Sequence, residues 1–115
     1  MDPERARQLL ARERKRVEEA LARLRISPDE ELSHVDQHLA DEGTETFEEE
    51  RDAGLAADLR EELAAIERAE RRLEQGRYGI SVETGAPIPD ERLEAVPWAE
   101  RTAQEQERLE GGSLR

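Results

Sequence analysis

From Pro3 to Leu24 the apolar residues Leu10, Val17, Leu21 and Leu24 recur at steps of seven, four and three, with Arg14 filling one inward position. That is the a/d rhythm of a helix that packs on another helix, and the charged residues around it form a solvated side. The start is well marked. Asp2 suits the N-cap, Pro3 the first helical position, and Glu4 complements the positive end of the helix dipole. The pattern fades near Ile26, and Ser27-Pro28-Asp29-Glu30 fits either another capped turn or a bend. From Leu32 to Thr46 the chain is polar and irregular, which reads as the connection and tip between two long helices.

A second helix is predicted from about Thr46 to Gln75, a proline-free stretch rich in Ala, Leu, Glu and Arg. Leu59, Ile66 and Leu73 recur every seven residues, with Leu55, Ala56 and Leu63 beside them. Thr46 and Glu49 read as a capping box. Gly54 is either an exposed weak spot or a place of close helix contact. Gly76 stands where a left-handed C-cap belongs. Such a helix is roughly 45 Å long.

Beyond Gly76 the period changes. Tyr78-Gly79-Ile80-Ser81-Val82 alternates like a short strand, and Thr84 to Pro89 reads as a turn and a second one. Asp90 to Ala95 fits one helical turn. Pro97 fits the start of a last helix through about Leu109, closed by Gly111-Gly112. Tyr78, Ile80, Ile88, Leu93, Val96 and Trp98 make a mini-core too small for an independent domain. The expected fold is mostly α: a long antiparallel helical hairpin (coiled coil) over residues 1–76, with its tip around 32–46. A small knuckle built on a short β-hairpin, with a C-terminal helix, follows over 77–110, and 111–115 is a tail.

Composition narrows the functions. The chain has 115 residues, 42% of them charged, and a net charge of -12. That surface repels a phosphate backbone, so direct nucleic-acid binding is not expected, while attraction to a basic partner surface is. No cysteine is present, which removes disulfides and thiolate metal sites. No segment has the apolar length of a bilayer span, and the N-terminus lacks a signal-peptide core. An intracellular, cytoplasmic protein is expected. His34 and His38 stand four apart near Asp36 and Asp41, but without a His-Glu-x-x-His signature. Neither a metal site nor any cofactor is expected. Carboxylates abound, yet no nucleophile and base, phosphate loop or nucleotide fingerprint accompanies them, so an enzyme is not expected.

Three runs carry a family resemblance. Arg71-Arg72-Leu73-Glu74-Gln75-Gly76-Arg77-Tyr78-Gly79-Ile80 resembles the helix end and first strand of the DksA/TraR zinc-finger family. The run from Gly85 through Ile88-Pro89-Asp90-Glu91-Arg92-Leu93-Glu94-Ala95 to Ala99 continues the likeness. Asp36 to Glu45 resembles the hairpin tip of the family's shorter, general-stress members. The match spans about residues 32 to 106. The family's four zinc cysteines would fall at Ser81, Thr84, Thr102 and Glu105, none a thiolate. The resemblance therefore implies a degenerate, metal-free zinc finger, held by packing of Tyr78, Ile88, Leu93 and Trp98 and by hydrogen bonds among Ser81, Thr84 and Thr102.

The resemblance also implies a function. Family members regulate transcription by binding bacterial RNA polymerase, inserting the coiled-coil tip through the secondary channel. Acidic tip residues there alter open-complex stability and initiation, in some members together with ppGpp. The matching tip residues are Asp36, His38, Asp41, Glu42 and Glu45. Asp41 fits the family position best, and His38 stands where the best-studied members place a second aspartate. Arg68, Arg71 and Arg72 are candidate docking residues. Two alternatives stay open. One is a stress-associated interaction or scaffold protein that kept the fold and lost polymerase regulation. The other is a homodimer formed through the Leu59, Ile66 and Leu73 stripe.

Overall fold

A computed structural model describes residues 1–24 and 43–113, with side chains at 1–24 and 49–111. Four helices account for most of it: α1 (Pro3–Ala22), α2 (Gly43–Glu74), α3 (Asp90–Ala95) and α4 (Ala103–Ser113). No helix among the described residues is long and apolar enough to cross a membrane.

The helix ends follow local chemistry. The Asp2 carboxylate accepts the Arg5 backbone N–H at 3.1 Å and the Asp2 carbonyl accepts that of Ala6 at 3.0 Å, so Asp2 is the N-cap and Pro3 opens α1. At the far end of α2, Gly76 takes φ +73°. The Arg77 N–H reaches the Arg72 carbonyl at 2.8 Å and the Gly76 N–H reaches that of Leu73 at 3.1 Å. This pair of bonds is a Schellman motif, and it turns the chain sharply out of the helix. The start of α2 differs from expectation. The helix is already formed at Gly43, so Thr46 lies a turn inside it and is not its cap.

The residues group into two compact units, Met1–Lys15 with Ala64–Arg115, and Arg16–Leu63. In the first, the opening of α1 and the close of α2 run in opposite directions. Arg14 makes two hydrogen bonds to Glu70, at 2.6 and 3.1 Å, and one to Glu67 at 3.4 Å. Leu10 and Leu73 line a shallow groove further along the same pair. Ala6, Leu9, Leu10, Ala65, Ile66 and Ala69 are buried. Leu9, absent from the a/d stripe, is as buried as Leu10, so the packed face of α1 is broader than a strict a/d seam. In the second unit Val17, Ala56 and Asp52 are buried, and Arg16 pairs with Glu62 at 2.9 Å. Ile66, the centre of the predicted seven-residue stripe, has no exposed surface, while Leu59 and Leu73 are partly buried.

Gly54 resolves to the first of its two readings. It lies exposed in α2, and a Cβ built there meets nothing within 4 Å. Helical Gly costs entropy relative to Ala. Gly54→Ala is therefore expected to raise stability by about 0.5–1 kcal/mol, read as a higher urea midpoint at unchanged m-value.

Candidate functional site

The knuckle begins where the Schellman turn releases the chain. Gly79 at φ +82° and Gly85 at φ +78° occupy the left-handed region. A Cβ on Gly79 would stand 3.5 Å from Leu93 Cδ1, so the backbone passes close over the core. The Ser81 N–H donates to the Ala86 carbonyl and the Ile88 N–H to that of Gly79, both at 2.8 Å. The expected pair of short strands is reduced to one antiparallel bridge, Ile80 with Pro87. Glycine at 79 and 85 leaves the extended region, and Pro87 and Pro89 have no N–H to extend a ladder.

Ile88, Leu93 and Ala99 form the knuckle core, with Met1, Tyr78 and Val96 packed against it. The Tyr78 hydroxyl donates to the Pro97 carbonyl at 2.8 Å, and burial pushes that phenol up to about 12. Trp98 stays partly exposed and Ala99 takes the core position expected for it. Pro97 does not open the last helix. It lies before α4, which starts at Ala103 and continues past Gly111 and Gly112.

What starts α4 is a reciprocal capping box. The Glu105 N–H donates to Thr102 Oγ1 at 3.2 Å, and the Thr102 N–H donates to Glu105 Oε1 at 2.9 Å. The same carboxylate collects two distant hydroxyls. Ser81 Oγ donates to Oε1 at 2.7 Å, and Thr84 Oγ1 donates to Oε2. Ser81 Oγ in turn accepts the N–H groups of Glu83 at 3.0 Å and Thr84 at 3.2 Å. Glu105 and Ser81 are both buried, at 5% and 4% exposure. The hydrogen bonds from Thr84, Ser81 and Thr102 hold the Glu105 carboxyl at about 2, below its ordinary 4.5.

The four positions carried over from the family's zinc site thus meet in space, but not as metal ligands. Two hydroxyls spend their protons on the carboxylate, one residue contributes chiefly its backbone, and only one anionic donor is present. A structural zinc site takes four thiolate or imidazole ligands, so this donor set does not fit the ion. Among the described residues no three His, Asp or Glu side chains converge as a metal-binding group. The hydrogen bonds expected among Ser81, Thr84 and Thr102 take a different form. The acceptor that gathers them is Glu105, and its local signal was Thr102-x-x-Glu105.

Beside the knuckle, Glu100 clamps the end of α2. It accepts two bonds from Arg68, at 2.9 and 3.0 Å, and one from Arg72 at 3.2 Å. The Arg68 hydrogen bond leads in lowering the Glu100 carboxyl below its ordinary range. Burial pushes the Arg72 guanidinium down from its usual value, which Glu100 opposes. Arg71 is exposed on the same helix end. Of the predicted tip residues, Asp36, His38, Asp41 and Glu42 lie outside the described residues, as does His34. Glu45 falls in the first turn of α2, its side chain outside the description.

No family model matches the chain. Over 81 residues it is 42% identical to general stress protein 16O of Bacillus subtilis, a stretch covering 70% of this chain and 50% of that protein. Over 48 residues it is 48% identical to the RNA polymerase-binding transcription factor DksA of Caulobacter vibrioides, covering 42% and 34%. The solved structure of transcription factor DksA2 from Pseudomonas aeruginosa aligns over 98% of this chain and 86% of that one, with a TM-score of 0.68 and 26% identity. The matched stretches span half or less of the curated relatives' own lengths. With the knuckle described above, these likenesses make the chain a cysteine-less member of the DksA/TraR family. The relatives are named as transcription factors and a stress protein, not as enzymes.

The low Glu105 carboxyl makes the stability of the knuckle pH-dependent. Its carboxyl is lower in the folded chain than in the unfolded one. Its contribution is therefore fully present above about pH 4.5 and is lost as pH falls towards 2. Glu105→Gln is expected to lower Tm at pH 7 and to flatten the loss of stability between those pH values. Equal acid sensitivity of both proteins, followed by circular dichroism, would refute the carboxylate's role.

Proposed function

We propose that the chain is a transcription regulator that binds bacterial RNA polymerase in the cytoplasm and inserts an acidic coiled-coil tip into the secondary channel. The observation that carries this reading is the alignment of nearly the whole chain with transcription factor DksA2, supported by the likeness to the polymerase-binding DksA. In this reading Asp36, His38, Asp41, Glu42 and Glu45 form the probe. The tip's negative charge acts near a basic channel and its catalytic magnesium, where charges are poorly screened. Arg68, Arg71 and Arg72 contribute to docking at the base.

A second reading has its own support, the 42% identity to a general stress protein over 70% of the chain. There the fold serves as an interaction scaffold without polymerase regulation. Capture of core polymerase by the purified chain, with competition by a known secondary-channel factor, separates the two.

Under the first reading, Asp41→Ala with Glu45→Ala is expected to leave polymerase capture within about threefold of wild type and to abolish the effect on open-complex lifetime. Run-off transcription with and without ppGpp reads the second quantity. Unchanged promoter output would remove the tip mechanism.

A further inference from the structure

The chain is strongly acidic, yet one concave surface is basic. A cleft of about 530 Å³ is lined by Arg68, Arg71, Arg72 and Arg77, with the apolar Ile80 and Val82 on its rim. Glu100 is the carboxylate among the lining residues, and it is committed to Arg68 and Arg72. Among the described residues Arg71 makes no ion pair, and the Arg77 guanidinium hydrogen-bonds only the neutral Gln75 side chain. Arg72 is 9% exposed, and its Nη2 is buried without a hydrogen-bond partner among the described residues. Buried guanidinium nitrogens are rarely left so. Ile80 and Val82 are 42% and 50% exposed, although both continue the backbone that carries the knuckle.

Charge and shape select the occupant. Four guanidinium groups against one carboxylate leave local positive charge inside a chain of net -12. Polynucleotides and anionic membranes meet long-range repulsion from the rest of the surface. A free phosphate would use the arginines and have no use for Ile80 and Val82. An acidic polypeptide segment uses both, since arginine beside exposed apolar side chains is the composition of a protein-binding surface. We propose that this cleft docks a segment of a partner protein that presents carboxylates next to an aliphatic side chain. The carboxylates pair with Arg71 and Arg77, and the aliphatic group covers Ile80 and Val82. The inference deepens the polymerase reading by naming the surface and the chemistry it recognises, and it rests on that reading only for the partner's identity.

The test uses the full chain, labelled with ¹⁵N and titrated with a peptide of alternating glutamate and leucine. Amide shifts are expected at Arg71, Arg77, Ile80 and Val82, weakening as salt rises. Arg71→Glu with Arg77→Glu should lower affinity at least tenfold, and Ile80→Ser with Val82→Ser by a smaller factor. Both pairs are solvent-exposed, and unchanged thermal melting confirms that the variants fold. A glutamine-for-glutamate peptide should not bind. Absence of shifts at these residues would overturn the proposal. So would binding of inorganic phosphate alone that matches the peptide and ignores the serine variants. Polymerase capture is measured separately. If wild type fails to capture polymerase while the peptide binds as expected, the polymerase reading falls and the cleft stands. If both charge-reversed and wild-type chains capture polymerase equally, the cleft is not the docking surface.

Discussion

The knuckle depends on one buried carboxylate. Removing an ionised side chain from water is unfavourable unless fixed donors replace the lost solvent. Glu105 meets that condition with the hydroxyls of Ser81 and Thr84 and the backbone N–H of Thr102. The bonds join the loop after α2 to the first turn of α4. Charge-assisted hydrogen bonds are stronger than neutral ones, and here they do what metal–thiolate bonds do elsewhere: cross-link two short segments whose own core is small. Ile88, Leu93 and Ala99 alone bury too little to hold a loop with so little sheet.

This cross-link reaches into the arginine cleft. Thr102, fixed by Glu105, stands two residues after Glu100, which grips Arg68 and Arg72. The Glu100 carbonyl also accepts the Val82 N–H at 2.9 Å. The segment that carries Glu100 is thus tied at one end to the Glu105 cluster, at the other to the Ser81 loop, and through its side chain to α2. The positions of Val82 and of the Arg68 and Arg72 guanidinium groups follow from that set of ties. A change in the knuckle therefore alters the basic surface beside it as well as stability.

Much of the helical structure was legible because it rests on neighbours in sequence. Asp2, Pro3 and Gly76 mark helix ends through bonds that span three to five residues, which depend on the local chain alone. Ile66 and Val17 were buried as their spacing implied. The errors lie where two local signals competed. Thr46 resembled a cap, but good helix formers let α2 begin at Gly43. Pro97 resembled a helix start, although Thr102 and Glu105 offered a complete box five residues later. The alternating pattern of 78–82 suggested a strand, but Gly79 and Gly85 turn left-handed and the facing run is broken by proline.

The order of residues determined the helical class, the two best-marked helix ends and the family likeness, because each arises from chemistry within a few positions or from a continuous run. Only the folded chain decided what Glu105 does. Its hydroxyl partners lie 24 and 21 residues away, and no periodicity signals that a carboxylate on a helix start will meet a distant turn. The same holds for Glu100, which meets Arg68 across 32 residues. Separations of that size are closed by packing, so these hydrogen bonds, and the placing of Glu100 and Val82 against the arginines of α2, are properties of the tertiary structure.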